Sequence, residues 1–184
     1  MKITIKSLFL ATMLSLATMA QAQLVEKPST EGATSFAVII DNTSLEKCRA
    51  EINLYKQTIE SEGLPTFIIA SDWETPEQVR EQLMKLYKEH RLEGCVFIGD
   101  IPIPMIQRAQ HLTTAFKMDE RKHPIEECSV PSDRYYDDFD LVFDRMEEHP
   151  AQGLMHFFAM NPLSPQYIEC DIYSARIKPQ GSNG

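Results

Sequence analysis

Residues 35–41 read Ser35-Phe36-Ala37-Val38-Ile39-Ile40-Asp41, a nearly unbroken run of apolar side chains that ends in an aspartate. Such a run predicts a β-strand buried on both faces, because a strand with one face in water alternates apolar and polar residues. The same signature recurs in Pro65-Thr66-Phe67-Ile68-Ile69-Ala70 and in Cys95-Val96-Phe97-Ile98-Gly99-Asp100. The sequence therefore predicts three buried strands within residues 35–100.

Helical patterns separate these strands. The first pattern follows a capping box, Thr43-Ser44-Leu45-Glu46, and ends at Gly63, where a left-handed backbone can stop a helix. The second follows Thr75-Pro76-Glu77-Gln78, with proline at the first helical position, and ends at Gly94. Alternating strands and helices predict right-handed crossovers and an α/β fold, with a three-layer open, mainly parallel sheet and helices on both faces.

The chain is less regular after Asp100. The run Ile101-Pro102-Ile103-Pro104 is not expected inside a sheet, because proline has no amide hydrogen to donate. Residues 105–116 predict a short helix, residues 119–133 a charged loop, and residues 168–177 a further strand. No helix is predicted to cover that strand, so the sheet is expected to be incomplete or to be completed by a partner chain.

The first 22 residues have the pattern of a secretory signal peptide. Lys2 and Lys6 supply its positive charge, residues 8–17 its apolar stretch, and Ala20-Gln21-Ala22 its cleavage pattern. The apolar stretch is shorter than the ~20 residues of a membrane anchor. We therefore expect an exported protein, periplasmic or extracellular, without a membrane anchor. The expected division of the chain is signal peptide 1–22, flexible lead-in 23–34, α/β domain 35–179 and tail 180–184.

Composition narrows the classes of partner. The formal net charge is −9, from 27 acidic and 18 basic residues, and removal of the leader lysines makes it more negative. An acidic surface repels phosphate backbones, so nucleic acid is not an expected partner, whereas cations and basic peptides are. The four cysteines, Cys48, Cys95, Cys128 and Cys170, form no CxxC or CxxH pair that would suggest zinc. Cys48 and Cys95 lie in apolar patterns and are expected in the core.

Aspartates follow the three predicted strands. Asp41 and Asp100 end the first and third strands, and Asp72 comes just after the second. The carboxyl ends of parallel strands lie along one edge of a sheet, where ligands of open α/β folds bind. Three acids there could hold Mg²⁺, Ca²⁺ or a cationic side chain of a substrate. The favoured alternative is that these aspartates accept amide hydrogen bonds in strand-to-helix turns.

A second group of acids lies in Pro131-Ser132-Asp133-Arg134-Tyr135-Tyr136-Asp137-Asp138-Phe139-Asp140. Asp133, Asp137, Asp138 and Asp140 are candidate calcium ligands, because Ca²⁺ prefers closely spaced carboxylate oxygens. The EF-hand order is absent, since no glycine occupies the turning position. A solvated, turn-forming loop is the favoured alternative. No cofactor other than calcium is suggested, and none is required.

No complete catalytic pair emerges from the sequence. A nucleophilic cysteine or serine needs a histidine to activate it. Cys128 lies five residues after His123, and Cys95 five after His90, but sequence proximity does not place a thiol against a ring. Neither GxGxxG nor GxxxxGKS/T occurs, so a phosphate-binding loop is not expected. We assign no catalytic residue within this chain.

Three segments together resemble the gingipain-like cysteine peptidases. They are Gly94-Cys95-Val96-Phe97-Ile98-Gly99-Asp100-Ile101-Pro102, Pro131-Ser132-Asp133-Arg134-Tyr135-Tyr136-Asp137-Asp138 and Asp171-Ile172-Tyr173-Ser174-Ala175-Arg176-Ile177. That family has a strand ending in Ile-Gly-Asp, then a Ser-Asp-x-Tyr-Tyr segment, then a strand ending in Gly-Arg. The resemblance implies a caspase-like α/β fold, and a flavodoxin-like architecture fits the same element order.

The departures from the family bear on activity. Ala175 stands where the family has glycine before the arginine. The family's catalytic histidine and cysteine lie downstream of that arginine, and no residue of this chain matches either. The resemblance therefore implies the front part of a peptidase-like domain, inactive as given. In a longer chain the implied activity is that of a cysteine endopeptidase, with a peptide or protein as substrate.

Two other functions stay open. The first is an exported, non-catalytic binding module that holds a cation or ligand at the acidic edge of the sheet. The second is an assembly role, in which another chain completes the sheet.

Overall fold

The computed structural model describes residues 23–112 and 117–178. The expected signal peptide, residues 1–22, and the expected tail, residues 180–184, lie outside the described residues. Within the described ranges, no helix is both long and apolar enough to cross a bilayer.

The strands are β1 (Leu24–Glu26), β2 (Ser35–Asp41), β3 (Thr66–Ser71), β4 (Leu92–Ile98), β5 (Ile103–Gln107), β6 (Val130–Pro131), β7 (Phe143–Arg145), β8 (Met155–Met160) and β9 (Tyr173–Ile177). The helices are α1 (Asn42–Lys47), α2 (Arg49–Ser61), α3 (Pro76–His90), α4 (Ile125–Cys128) and α5 (Arg134–Asp137). A single 3₁₀ turn, Gln110–Leu112, follows β5.

The main sheet has the strand order β1-β3-β2-β4-β9. Strands β3, β2, β4 and β9 are parallel, and β1 lies antiparallel along the edge of β3. Counted along the chain, the parallel strands follow the order 2-1-3-4, which is the flavodoxin-like order. The predicted α/β class with an open, mainly parallel sheet is confirmed.

Helices cover both faces of this sheet, as predicted. On one face, Leu45 of α1 and Ile52 of α2 pack in a core with Val38 of β2. On the other face, Leu83 of α3 packs in a second core with Phe97 of β4. The apolar runs of the sequence are explained by these two cores, because each strand buries side chains on both sides.

A second sheet, which the sequence does not predict, has the order β6-β5-β8-β7. Strands β5 and β8 are parallel, while β6 and β7 are antiparallel to their neighbours. The expectation that residues 101–104 stay out of a sheet interior holds for residues 101 and 102 but is wrong for residues 103 and 104. These two residues belong to β5, which lies between two partner strands, with Pro104 opposite His156. Pro104 still serves the structure through its carbonyl, which accepts a hydrogen bond from the amide of Ser132 at 3.0 Å.

The predicted helix at residues 105–116 is also wrong over its described part. Residues 105–107 belong to β5, and only Gln110–Leu112 form a turn of 3₁₀ helix. Residues 113–116 of that prediction lie outside the described residues. The predicted strand at 168–177 is shorter than expected, since β9 covers only Tyr173–Ile177.

The structure corrects some of the predicted starts and ends of helices and confirms others. Asp41, not Thr43, caps α1, and the predicted first helix breaks at Cys48 into α1 and α2. Gly63 takes the predicted left-handed conformation, with φ +88°. The capping box of Thr75 and Gln78 is confirmed at the start of α3.

Two further expectations from the sequence are corrected. Helix α3 ends at His90 and is capped by Arg91, which has φ +53°, and Gly94 instead lies inside β4. There, a side chain at position 94 would overlap the ring of Tyr173. Cys95 is buried as expected, but Cys48 is exposed.

Candidate functional site

Arg176 of β9 joins the three segments that carry the family resemblance. Its Nη2 and Nε atoms donate to the two carboxylate oxygens of Asp133, at 2.7 and 3.1 Å. Its Nη1 and Nη2 atoms also donate to the carbonyl oxygens of Ile101 and Pro102, at 2.9 and 3.1 Å. The guanidinium lies 5.1 Å from the ring centroid of Phe97. We call Arg176, Asp133, Tyr136 and the Ile101 and Pro102 carbonyls the arginine node.

Tyr136 completes the arginine node. Its hydroxyl donates to the Pro102 carbonyl at 2.9 Å, and its ring centroid lies 4.9 Å from that of Phe97. Burial raises the pKa of Tyr136 well above its ordinary value, so the hydroxyl remains a protonated donor. The node is therefore a fully hydrogen-bonded junction between β4, α5 and β9.

The turn after β4 is built around Gly99. This residue has φ +82°, and an added Cβ would overlap Oδ2 of Asp41. The Gly99 amide donates to the carbonyl of Ile177 at 2.9 Å, and the Asp100 amide donates to Oδ2 of Asp41 at 2.9 Å. Only glycine combines this backbone conformation with such a close approach.

The structure places the three strand-end aspartates along the same edge of the main sheet. Asp41 is directly opposite Ser71, the residue before Asp72, and Asp100 follows the end of β4. Asp72 and Asp100 are exposed, and the Lys178 ammonium lies 3.9 Å from the Asp100 carboxylate.

Asp41 differs from its two neighbours because it is buried. Its Oδ1 accepts a hydrogen bond from the Ser44 amide at 2.8 Å, and its Oδ2 accepts from Asp100. Burial raises the pKa of Asp41, but the Ser44 side chain and the amides of Ser44 and Asp100 stabilise the carboxylate more strongly, so the pKa lies below its ordinary value. Asp41 therefore holds the turns of this edge together.

Asp137 lies in α5 and is completely buried. Its Oδ2 accepts hydrogen bonds from Arg134, at 2.6 Å, and from the hydroxyl of Ser174 in β9. Its Oδ1 has no hydrogen-bond partner among the described residues. Burial raises the pKa of Asp137 to about 6, and the bonds from Ser174 and Arg134 offset only part of that effect.

The other candidate calcium ligands have separate roles. Asp133 binds Arg176, the Oδ2 of Asp138 accepts the Glu169 amide at 3.0 Å, and Asp140 is exposed. Burial raises the pKa of Asp138. Within residues 23–112 and 117–178, no group of three or more His, Cys, Asp or Glu side chains is placed to hold a metal ion.

Arg80 of α3 is a key residue that the sequence analysis misses. Its Nη2 donates to the carbonyls of Asp138, Phe139 and Leu141, at 3.2, 3.2 and 2.8 Å. The guanidinium lies 5.1 Å from the ring centroid of Tyr135, and burial lowers its pKa. Helical spacing could have identified Arg80, because position 80 lies four residues after buried Pro76 and therefore on the inward side of α3.

A groove of about 730 Å³ lies beside Arg80, between α3 and the segment 139–143. Its walls combine aromatic and aliphatic side chains, among them Tyr135, Phe139 and Leu141, with charged residues of the exposed side of α3.

The histidines and cysteines are placed apart. The Sγ of Cys128 lies 3.8 Å from the backbone carbonyl of His123, whose ring instead faces Glu127 at 3.4 Å. The ring of His90 packs on Phe67, with centroids 4.8 Å apart. Burial raises the pKa of the Cys95 thiol, which makes it a poor nucleophile.

The described residues thus form three candidate functional features: the arginine node, the sheet edge with Asp41, Asp72 and Asp100, and the groove beside Arg80. No protein-family model, curated protein or solved structure matches the chain.

Proposed function

We propose that residues 35–179 form the front part of a gingipain-like cysteine peptidase domain, and that this chain alone does not hydrolyse peptides. The observation that carries the proposal is the arginine node. Arg176 contacts Asp133 and the carbonyls of Ile101 and Pro102, so the segments 94–102, 131–138 and 171–177 share one junction. These segments are the ones that resemble the family.

The departure at Ala175 does not argue against this proposal. Side chains alternate along a strand, so Ala175 points to the face opposite that of Arg176. Ala175 is exposed, whereas Arg176 is half-buried in the node. The alanine methyl group therefore leaves the contacts of Arg176 undisturbed.

In this proposal the arginine node is a scaffold and has no role in bond cleavage. It ties the end of β4 to β9 and to α5, and so fixes the edge of the main sheet where ligands of open α/β folds bind. The nucleophile and its base correspond to no residue of this chain.

A hydrolysis assay tests the catalytic part of the proposal. The purified protein is incubated with fluorescein-labelled casein under reducing conditions, and no release above the buffer rate is expected. Release that iodoacetamide or Cys128→Ser abolishes would contradict the proposal, because it would show a working thiol in this chain.

The messenger RNA tests the family part of the proposal. The reading frame after the codon for Gly184 is expected to encode a His-Gly segment and then an apolar strand that ends in cysteine. A frame that continues with an unrelated fold would contradict the family assignment.

A second candidate function is cation binding at the edge of the main sheet. It is supported by the exposure of Asp72 and Asp100, which follow β3 and β4, the two strands that flank β2. Calorimetric titration with Ca²⁺ tests it: saturable micromolar binding that Asp100→Asn removes and Asp140→Asn leaves intact would favour this function. Heat changes equal to those of dilution would rule it out.

We also propose export, with cleavage after Ala22. Strand β1 begins at Leu24, so cleavage there leaves the edge strand of the main sheet whole. N-terminal sequencing of protein recovered outside the cytoplasm is expected to begin at Gln23. A protein that keeps Met1 would contradict the proposal.

A further inference from the structure

Gln23 lies just before the edge strand β1 and is held only weakly. The pairing of β1 with β3 begins at Leu24, opposite Ala70, so Gln23 is outside the ladder. Its side chain is exposed. Within the described ranges, the one hydrogen bond of that side chain is a long one, from its Nε2 to Oε1 of Gln82 at 3.4 Å. The amide of Gln23 is therefore free to turn toward its own backbone.

We propose that Gln23 becomes a pyroglutamyl residue by spontaneous cyclisation once the signal peptide is removed after Ala22. The inference rests on the proposed export, because that cleavage is what gives Gln23 a free α-amine. An α-amine titrates near neutral pH, so part of it is uncharged and nucleophilic. The amide carbon of an N-terminal glutamine lies within reach of this amine, and the ring that closes has five members.

The reaction balances within the residue itself. The α-nitrogen attacks Cδ, so that a bond between nitrogen and Cδ forms and the bond between Cδ and Nε2 breaks. Nε2 leaves as ammonia and takes up a proton that the α-amine gives up. Oxidants, reductants and second substrates take no part. The product is a neutral lactam in place of an ammonium group.

The structure has space for this ring. A pocket of about 350 Å³ lies beside Gln23, lined by Ser71, Trp73 and polar side chains of α3. The pocket lies at the β1 side of the main sheet, and β3, β2 and β4 separate β1 from β9. The site therefore does not depend on how the sheet continues beyond β9.

Cyclisation protects the edge of the main sheet. Strand β1 covers the outer edge of β3, where Ile68 and Ile69 are fully buried. Leu24 and Val25 are 38% and 43% exposed, so β1 depends mainly on its backbone hydrogen bonds. Chain ends fray, and an aminopeptidase can then remove their residues one at a time. A lactam offers such an enzyme no α-amine, so β1 remains and the edge of β3 stays covered.

Mass spectrometry of the exported protein tests the modification. The peptide of residues 23–26, released by cleavage after Glu26, is expected to be lighter than its unmodified form by one ammonia. Gln23→Asn is the matched control, because asparagine keeps the amide but would have to close a four-membered ring. An intact amine on Gln23 would overturn the inference and leave the proposed export standing.

A protein that keeps Met1 would contradict export instead, and a fusion protein cut directly before Gln23 then decides the question of cyclisation. The cut protein is incubated at neutral pH beside the free peptide of residues 23–28. The same loss of ammonia is expected in both. Cyclisation of the peptide alone would refute the inference, because the fold would then hold the Gln23 amide away from its amine.

Aminopeptidase digestion tests the protective role. Protein with cyclised Gln23 is expected to keep its mass, whereas Gln23→Asn is expected to lose residues of β1. Equal shortening of the two proteins would contradict this role. Resistance of both would contradict it as well, because the fold rather than the lactam would then protect β1.

Discussion

Single side chains hold the carboxyl edge of the main sheet in place. Asp41 is central, because one oxygen caps α1 through Ser44 and the other binds the amide of Asp100. Gly99 allows this contact by leaving its Cβ position empty. The edge is therefore fixed by the fold before any ligand arrives.

Gly99→Ala is expected to destabilise the protein by about 2 kcal/mol or more, because it combines backbone strain with a clash against Asp41. Gly63→Ala is the matched control. Gly63 has a similar φ of +88°, but no atom of the described part of the chain lies within 4 Å of an added Cβ, so only the strain of about 1 kcal/mol is expected. Urea unfolding measures both variants, and equal losses would show that the contact with Asp41 is unimportant.

Asp137 predicts a pH dependence of stability. Its pKa rises from an ordinary value of 3.8 to about 6 in the folded protein, so the folded state binds more protons between these values. Its contribution to the free energy of unfolding therefore falls as the pH rises through that window. Asp137→Asn is expected to remove that fall and to raise stability near pH 7 by on the order of 1–3 kcal/mol relative to the wild type.

Denaturant unfolding at about pH 4.5 and about pH 7.5 measures this difference. Asp140→Asn is the control, because Asp140 is an exposed neighbour in the same segment. A variant at position 137 that loses stability at the higher pH would mean that the hydrogen bonds of the carboxylate outweigh its burial.

Among the elements, β9 depends most on contacts with distant segments. Among the described residues it pairs only with β4, and Arg176 and Ser174 anchor it to α5 through Asp133 and Asp137. Its position in the sheet is therefore set largely by these polar contacts, because its other face is exposed.

Arg176→Lys is expected to lower stability by about 1–3 kcal/mol, because lysine cannot make the paired hydrogen bonds to Asp133 and also reach two carbonyls. Hydrogen exchange of the β9 amides is expected to accelerate more than that of β2. Arg121→Lys is the control, since Arg121 is 88% exposed and solvent screens its ion pair with Asp119. Uniform acceleration in both strands would show that the node is not specific to β9.

The sequence predicts the first three parallel strands and the helices between them because each strand carries its own burial pattern. It fails from residue 101 onward for physical reasons. Pro102 and Pro104 suggest a break, yet β5 tolerates Pro104 by using its carbonyl. Strand β8 is short and its pattern, Met155–Met160, does not distinguish a strand from a buried helical turn. The arginine node needs partners 43 and 75 positions away, which no local pattern reveals.

At the scale of the molecule, the two sheets share one core. Phe97 of the main sheet, Leu83 of α3 and Phe158 of β8 belong to the same cluster of buried side chains. Arg80 adds a polar link, because it joins α3 to the segment that leads into β7. The two sheets are therefore expected to unfold together.

Phe158→Ala tests this cooperativity. The loss of a fully buried ring is expected to cost about 3–5 kcal/mol. Trp73, the single tryptophan, reports on the main sheet because its Nε1 donates to the Ile40 carbonyl at 2.9 Å. Its fluorescence midpoint should fall together with that of far-ultraviolet circular dichroism. Leu163→Ala, at a residue that is 95% exposed, should shift neither. Separate midpoints would show that the sheets unfold independently.

Strand β1 has a consequence for the time course of folding. Leu24–Glu26 leaves the ribosome before every other described element, yet its partner β3 is synthesised about 40 residues later. Until then its backbone groups have no strand to bind, and closing so long a loop slows the pairing. We therefore expect β1 to stay unpaired while β2 pairs with β3, and to add to the edge of the main sheet late in folding.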